Sequence, residues 1–344
     1  MIRVLVADDS AFARKALTRM LEAEPDIRVV ATARDGIEAV ERTVEYRPDV
    51  VTLDLDMPRM DGLTALAGIM ERSRVPVLVV SAAGGREARD VFRALALGAV
   101  DFVEKTVARG PIGILDIGGE LVGKVRAAAG RHPAGHFVPA KGDARAARGA
   151  ARTPGWKARA LVVGSSTGGP AALELLLGKL APGMAVPVLV VQHMPPSFVG
   201  HFAEHLGGHT RLKVRAASHG DRTVPGEVLL APGDQHMVVA GSGKEISVRL
   251  AREAAGAVYL PSVDVTMRSA AAAFAGEAVG VLLTGMGNDG TEGMRALKAA
   301  GGRTLVQDEA SSAVFGMARS AIEAGVVDEV VSLDGMAAAI RDAL

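Results

Sequence analysis

The feature that most constrains this chain is a repeated unit: a short apolar run, a polar residue at its end, then a helical pattern. Val4 to Ala7 runs into Asp8-Asp9-Ser10 and a helix reaching about Leu21. Val29 to Ala33 precedes a helix over Gly36 to Tyr46, Asp49 to Leu53 ends in Asp54, and Pro76 to Val80 ends in Ser81. Val100 to Val103 is followed closely by Lys105. Runs this short, apolar throughout and separated by helices, predict a parallel sheet wound by βα units, hence an α/β fold. A partly helical stretch, Gly110 to Arg131, follows. The pattern then stops: His132 to Trp156 is dominated by Ala, Gly, Arg and Pro and reads as a linker. For 344 residues this predicts two domains, over 1–122 and 157–344, joined by a linker over 123–156.

The second domain repeats the unit. Ala160 to Val163 leads into Gly164-Ser165-Ser166-Thr167-Gly168-Gly169-Pro170, Pro187 to Val191 ends in Gln192-His193, and Ser197 to Leu206 is helical. Val228 to Ala231 and His236 to Ala240 flank the turn Pro232-Gly233-Asp234, and Glu245 to Leu250 alternates, so an antiparallel insertion is expected there. Asp264 to Phe274 is helical. Ala278 to Leu283 ends in Thr284 and the loop Gly285-Met286-Gly287-Asn288-Asp289-Gly290, with further strands at Thr304 to Val306 and Val326 to Val331.

In open parallel sheets ligands bind outside the C-terminal ends of the strands. In the first domain Asp8, Asp9, Asp54, Ser81 and Lys105 all fall there. Three crowded carboxylates repel one another unless a hard cation such as Mg²⁺ neutralises them. A lysine and a hydroxyl beside them can donate to a phosphoryl group. The chemistry implied is phosphoryl transfer onto a carboxylate, with Asp54 as nucleophile; Asp9 or Ser10 is also a candidate cap for the first helix.

In the second domain a hydroxyl (Ser166), an imidazole (His193) and a carboxylate (Asp289) fall at equivalent strand ends. Gly164 to Gly168 fits G-x-S-x-G, with Ser166 at the nucleophile position. Together these are the parts of acyl-transfer catalysis: His193 takes the Ser166 proton, Asp289 orients the imidazole, and loop N–H groups bind the oxyanion. The order Ser–His–Asp differs from that of α/β-hydrolases, whose histidine comes last. A P-loop and a dinucleotide fingerprint are both absent. His201-Phe202-Ala203-Glu204-His205 matches H-x-x-E-H, but zinc needs a further protein ligand and no nearby acid is an obvious one, so these histidines read as a partly exposed helix face. Lys plus Arg and Asp plus Glu both number 39, which removes the electrostatic case for nucleic acid or an anionic membrane as main partner. With no cysteine, thiolate nucleophiles and thiolate metal sites are excluded. No apolar segment is long enough to span a bilayer, so a cytoplasmic protein without membrane insertion is expected.

Residues 1–122 resemble a response-regulator receiver domain. The resemblance rests on Asp8-Asp9, on Asp54 with Met57-Pro58-Arg59-Met60-Asp61-Gly62, on Ser81-Ala82 and on Asp101-Phe102-Val103-Glu104-Lys105. It implies a flavodoxin-like (βα)5 fold and a histidine kinase that supplies the phosphoryl group for Asp54. It also implies Mg²⁺ held by Asp8, Asp9, Asp54 and the carbonyl of Asp56, and a switch formed by Ser81, Phe102 and Lys105. Thr106 stands where receivers usually carry a proline, generally with a cis bond, and this implies slower or looser switching.

Residues 157–344 resemble the CheB-type methylesterase domain of chemotaxis. The resemblance rests on Gly164 to Pro170, Gln192-His193-Met194-Pro195-Pro196, Ser218-His219-Gly220-Asp221, Ala231 to Met237, Pro261-Ser262-Val263-Asp264, Thr284 to Gly290 and Gln307 to Ser312. It implies a doubly wound, mostly parallel α/β esterase domain with Ser166, His193 and Asp289 as the triad. Met286 would lie at the oxyanion site, and Thr167 and Met194 would line the cleft. The implied substrate is the glutamate γ-methyl ester of methyl-accepting chemoreceptors, with release of methanol, deamidation of certain receptor glutamines, control by phosphorylation and no cofactor for the hydrolysis. Ser165 and Ala318 depart from the usual alanine and proline. The alternative is a response regulator whose second domain binds a protein partner without catalysis.

Overall fold

The computed structural model of the chain describes residues 1–82, 85–105, 117–130, 156–180, 184–243 and 245–344. Thr106 and residues 131–155 of the expected linker lie outside them. The chain divides into two compact units.

The first unit contains β1 (Ile2–Ala7), α1 (Ala11–Glu22), β2 (Ile27–Ala33), α2 (Gly36–Tyr46), β3 (Val50–Leu53), α3 (Gly62–Arg72), β4 (Val77–Ala82), α4 (Gly85–Ala96), β5 (Asp101–Lys105) and α5 (Gly118–Ala129). The sheet order is β2-β1-β3-β4-β5, and every pair is parallel. Helices cover both faces, so Val4, Val6, Val50 and Leu78 are fully buried. Side-chain caps set the first three helix starts: Ser10, Asp35 and Asp61 accept from the N–H groups of Ala13, Glu38 and Thr64. Helix α5 runs past residue 122, because Leu121, Val125 and Ala128 recur at helical spacing and bury against Val4, Leu17 and Leu78. The direction of winding reverses between β1 and β3. The crevice that such a reversal opens lies beyond Ala7 and Leu53, which pair across the two strands.

The second unit contains β6 (Ala160–Ser165), α6 (Gly169–Lys179), β7 (Val188–Gln192), α7 (Pro196–His209), β8 (Lys213–Ala216), β9 (Glu227–Leu230), β10 (His236–Ser242), β11 (Glu245–Ala251), α8 (Val263–Ala273), β12 (Ala278–Leu282), α9 (Thr291–Ala299), β13 (Arg303–Gln307), α10 (Gly316–Glu323), β14 (Glu329–Val331) and α11 (Leu333–Ala343). Seven strands form a parallel sheet in the order β14-β13-β12-β6-β7-β9-β8. The antiparallel insertion is the hairpin β10–β11. It is smaller than expected from the sequence. The run around Val228 is β9, paired parallel with β7 and β8, so Pro232-Gly233-Asp234 does not join two paired strands. The burial explains the difference: β9 is buried at every position, as suits an interior parallel strand, whereas β11 alternates between covered and wet positions. The edge strand β8, with the sequence Lys-Val-Arg-Ala, carries too little apolar pattern to stand out. At the centre of the sheet β12, β6 and β7 are neighbours, with Leu282, Gly164 and Val191 level in register.

Candidate active site

Ser166, His193 and Asp289 follow β6, β7 and β12, three adjacent strands, so the sheet brings them to one edge. The turn after β6 is held tightly. The Ser166 N–H donates to the Thr284 carbonyl at 3.0 Å, and the Gly169 N–H donates to the Ser166 carbonyl at 2.8 Å. Gly168 caps α6 at φ 76°, a left-handed conformation that favours glycine, and a Cβ there would strike Ala313. A Cβ at Gly169 would land on the Gln192 side chain, and one at Gly285 would come within 2.9 Å of the Ser166 Cβ.

Gln192 ties two of the loops together. Its Nε2 donates to the carbonyls of Ser166 at 3.0 Å and His193 at 2.9 Å, while its Oε1 accepts from the Ser165 hydroxyl at 2.7 Å. The serine that departs from the usual alanine is fully buried, and this bond satisfies its hydroxyl.

His193 Nε2 lies 2.8 Å from Asp289 Oδ2. A carboxylate only accepts, so Nε2 carries the proton and Nδ1 keeps the lone pair. The Tyr259 ring lies flat on the imidazole, with centroids 5.1 Å apart and planes 6° from parallel. Asp289 is 2% exposed and accepts three more hydrogen bonds, from Ser262 Oγ at 2.9 Å, Val263 N–H at 2.7 Å and Asp264 N–H at 3.0 Å. Burial pushes its carboxyl up, but His193 and the two amides at the start of α8 outweigh that and hold it below the usual aspartate value. His236 sits behind this network, its Nδ1 accepting from the Ser262 N–H at 3.2 Å, and burial lowers its pKa.

The Ser166 hydroxyl, partly exposed, has no hydrogen-bond partner among the described residues. The N–H groups of Thr167 and Met286 likewise donate to no protein group among them. Thr167 and Met194 are buried, whereas Met286 is 43% exposed. A hydroxyl, an imidazole with an oriented lone pair and unspent N–H donors can together support acyl transfer.

The first unit gathers a second set. Lys105 Nζ lies 2.7 Å from both Asp8 Oδ2 and Asp54 Oδ2. Burial pushes the Asp54 carboxyl up to about 6, with Lys105 pulling down and Asp8 pushing further up. Burial opposes the charge on Lys105, but the two carboxylates outweigh it and raise the pKa of the ammonium. The Asp56 backbone also hydrogen-bonds to Asp54. Asp8, Asp9 and Asp54 each offer an oxygen, all within 4.8 Å of one another. One lysine offsets only part of three negative charges, and hard oxygen donors suit Mg²⁺, so the residues fit that ion. Ser81 is buried at the end of β4. Phe102 is also buried, set edge-on to Phe92 at 6.3 Å, with Lys124 Nζ 5.3 Å from its ring centroid.

The H-x-x-E-H histidines separate. His201 Nδ1 is 3.8 Å from Glu204, whereas His205 Nε2 is 2.9 Å from Glu174 on α6, an acid distant in sequence. Gln192 and Ser262 stood inside motifs already noted without being assigned a role. Tyr259 had no sequence signal.

Comparison with known proteins matches residues 161–340 to the CheB methylesterase family and residues 4–112 to the response regulator receiver domain. The chain is 41% identical to protein-glutamate methylesterase/protein-glutamine glutaminase 1 of Oleidesulfovibrio alaskensis, over 100% of both chains. It is 44% identical to the protein-glutamate methylesterase/protein-glutamine glutaminase of Paraburkholderia xenovorans, over 97% of this chain and 94% of that one. The crystal structure of the Thermotoga maritima CheB methylesterase catalytic domain is similar over 55% of this chain and 100% of that one, at 34% identity and a TM-score of 0.53.

Proposed function

The chain belongs to the CheB methylesterase family and carries a response regulator receiver domain, and from that premise we propose a phosphorylation-controlled serine esterase acting in chemotaxis adaptation. It hydrolyses glutamate γ-methyl esters on chemoreceptors, releasing methanol, and deamidates specific receptor glutamines, the two activities in its relatives' names. The protein works in the cytoplasm; among the described residues no helix is long and apolar enough to cross a membrane.

The observation that carries the reading is the His193–Asp289 bond of 2.8 Å on strand ends flanking that of Ser166. Ser166 Oγ attacks the ester carbonyl and passes its proton to His193 Nδ1, the nitrogen left by Asp289. The Thr167 and Met286 N–H groups receive the oxyanion. His193 then protonates the departing methoxide, methanol leaves, and water hydrolyses the acyl-enzyme by the same route in reverse roles. Asp289 stabilises the imidazolium formed in between.

In the receiver domain Asp54 accepts a phosphoryl group from a histidine kinase. Asp8, Asp9, Asp54 and the Asp56 carbonyl would hold Mg²⁺, which supplies positive charge against the phosphoryl oxygens. Lys105 and Ser81 donate to those oxygens, and Phe102 responds to them. The test is methanol release from methylated receptor, with and without a small phosphodonor. Activity is expected to rise with the donor and to vanish in Ser166→Ala. Undiminished release by Ser166→Ala would sink the assignment.

A further inference from the structure

On the flank of the second unit, Glu174 of α6 meets His205 and His209 of α7, and one donor atom from each lies within 4.8 Å of the others. We propose that these three residues form a binding site for a zinc-type divalent cation, separate from the esterase chemistry. The two histidines are one helical turn apart, the spacing that lets both imidazoles reach one ion from a single helix. Glu174 supplies the third ligand from across the helix–helix contact. Two imidazoles and a carboxylate form a catalytic-type zinc donor set that leaves a fourth position to solvent.

The donors already face one another across the two helices. Zinc–donor bonds of about 2.1 Å at tetrahedral angles put donors about 3.4 Å apart. Glu174 Oε2 is 2.9 Å from His205 Nε2, and its other oxygen, Oε1, is 3.9 Å from His209 Nε2, so each imidazole faces one oxygen of the same carboxylate. The orientation of His209 points the same way. Its Nδ1 lies 2.7 Å from the His205 carbonyl, which only accepts, so Nδ1 carries the proton and Nε2 presents its lone pair towards Glu174. A backbone carbonyl on the far nitrogen is the usual means of orienting a metal-ligating imidazole. His205 Nε2 donates to Glu174, so a cation binding there displaces that proton, to Nδ1 of the neutral ring or to solvent from the imidazolium. Both histidines lie in the last two turns of α7, where the helix dipole favours positive charge.

The site is remote from the triad along the helix. His205 is nine residues beyond Pro196, where α7 starts, a rise of roughly 13 Å. A bound ion would fasten α6 to α7, the helices that begin just after Ser166 and His193.

The test uses the full chain, stripped of metal and kept in excess Mg²⁺ to occupy the receiver carboxylates. Zn²⁺ is titrated against a chromophoric chelator, and Co²⁺ serves as spectroscopic probe. One equivalent of Zn²⁺ is expected, weakened at least tenfold in His209→Ala and in Glu174→Gln. The visible band of four-coordinate Co²⁺ should be lost in both. His209 is half exposed, so its removal leaves the fold intact, as thermal melts without metal can verify. His193→Gln should keep the equivalent. The proposal is overturned if the chain retains no Zn²⁺ against the chelator, if His209→Ala binds as well as the parent, or if His193→Gln abolishes binding.

Discussion

Asp289 combines two tasks on one carboxylate: it fixes the imidazole of His193 and receives the first amides of α8. Asp289→Asn keeps the volume but puts an amide N–H where acceptors are needed, which reverses the imidazole tautomer. A fall in kcat of roughly three to four orders of magnitude is expected, with KM little changed, in steady-state methanol release. An unchanged kcat would remove Asp289 from the mechanism. At Asp54 burial also pushes the carboxyl up, and there it prevails. Its carboxyl titrates at about 6 in the fold against 3.8 as the ordinary value, so the folded state binds more protons between those pH values and stability falls as pH rises through them. In metal-free buffer Asp54→Asn should therefore stabilise the receiver at pH 7, by at most about 3 kcal/mol, with the gain shrinking to nothing below pH ~4. Thermal melts across that range check the sign. The residues legible in the sequence were those at strand ends, because topology alone places them. Gln192 and Tyr259 were not, since what matters about them is a side-chain contact between loops distant in sequence.

At the scale of elements, α8 and α9 begin face to face and exchange carboxylates. Asp289, just before α9, accepts from Val263 and Asp264 of α8; Asp264 accepts from Gly290 at 2.9 Å and Gly293 at 2.7 Å at the start of α9. Ser262 caps α8 and also donates to Asp289. Ser262→Ala should cost about 1 kcal/mol in denaturant unfolding and also lower kcat, because one mutation loosens both a cap and the proposed triad acid. A stability loss with unaltered kcat would separate the two roles. Helix positions were well marked in the sequence: Gly36 to Tyr46 is α2 to the residue. Strand pairing was not. The β9 run resembles a hairpin arm locally, and only its burial on both faces, a property of the whole sheet, makes it a parallel interior strand.

For the whole molecule, the sequence order is receiver first and esterase second, as in relatives that match along the full chain. If the receiver restrains the esterase until Asp54 is phosphorylated, deleting residues 1–156 should raise basal methanol release severalfold. Asp54→Asn in the full chain should hold it at the basal rate whatever phosphodonor is present. Equal rates for the full and truncated chains would point to activation without prior restraint. The apolar runs stop and restart around an Ala-, Gly- and Arg-rich tract, which makes the division into two compact units legible in the sequence. Helix α5 continues beyond residue 122 on small and aliphatic residues spaced to bury one face.

The paired helix starts have a consequence for how the enzyme could be watched. The amides of Val263, Asp264, Gly290 and Gly293 donate to one buried carboxylate, Asp289, and one half-buried carboxylate, Asp264, so none can open to solvent without disturbing the others. Their deuterium uptake should therefore proceed as one cooperative unit. Since one of those carboxylates also holds His193, the readiness of the proposed base becomes measurable in the resting protein, with no substrate and no turnover.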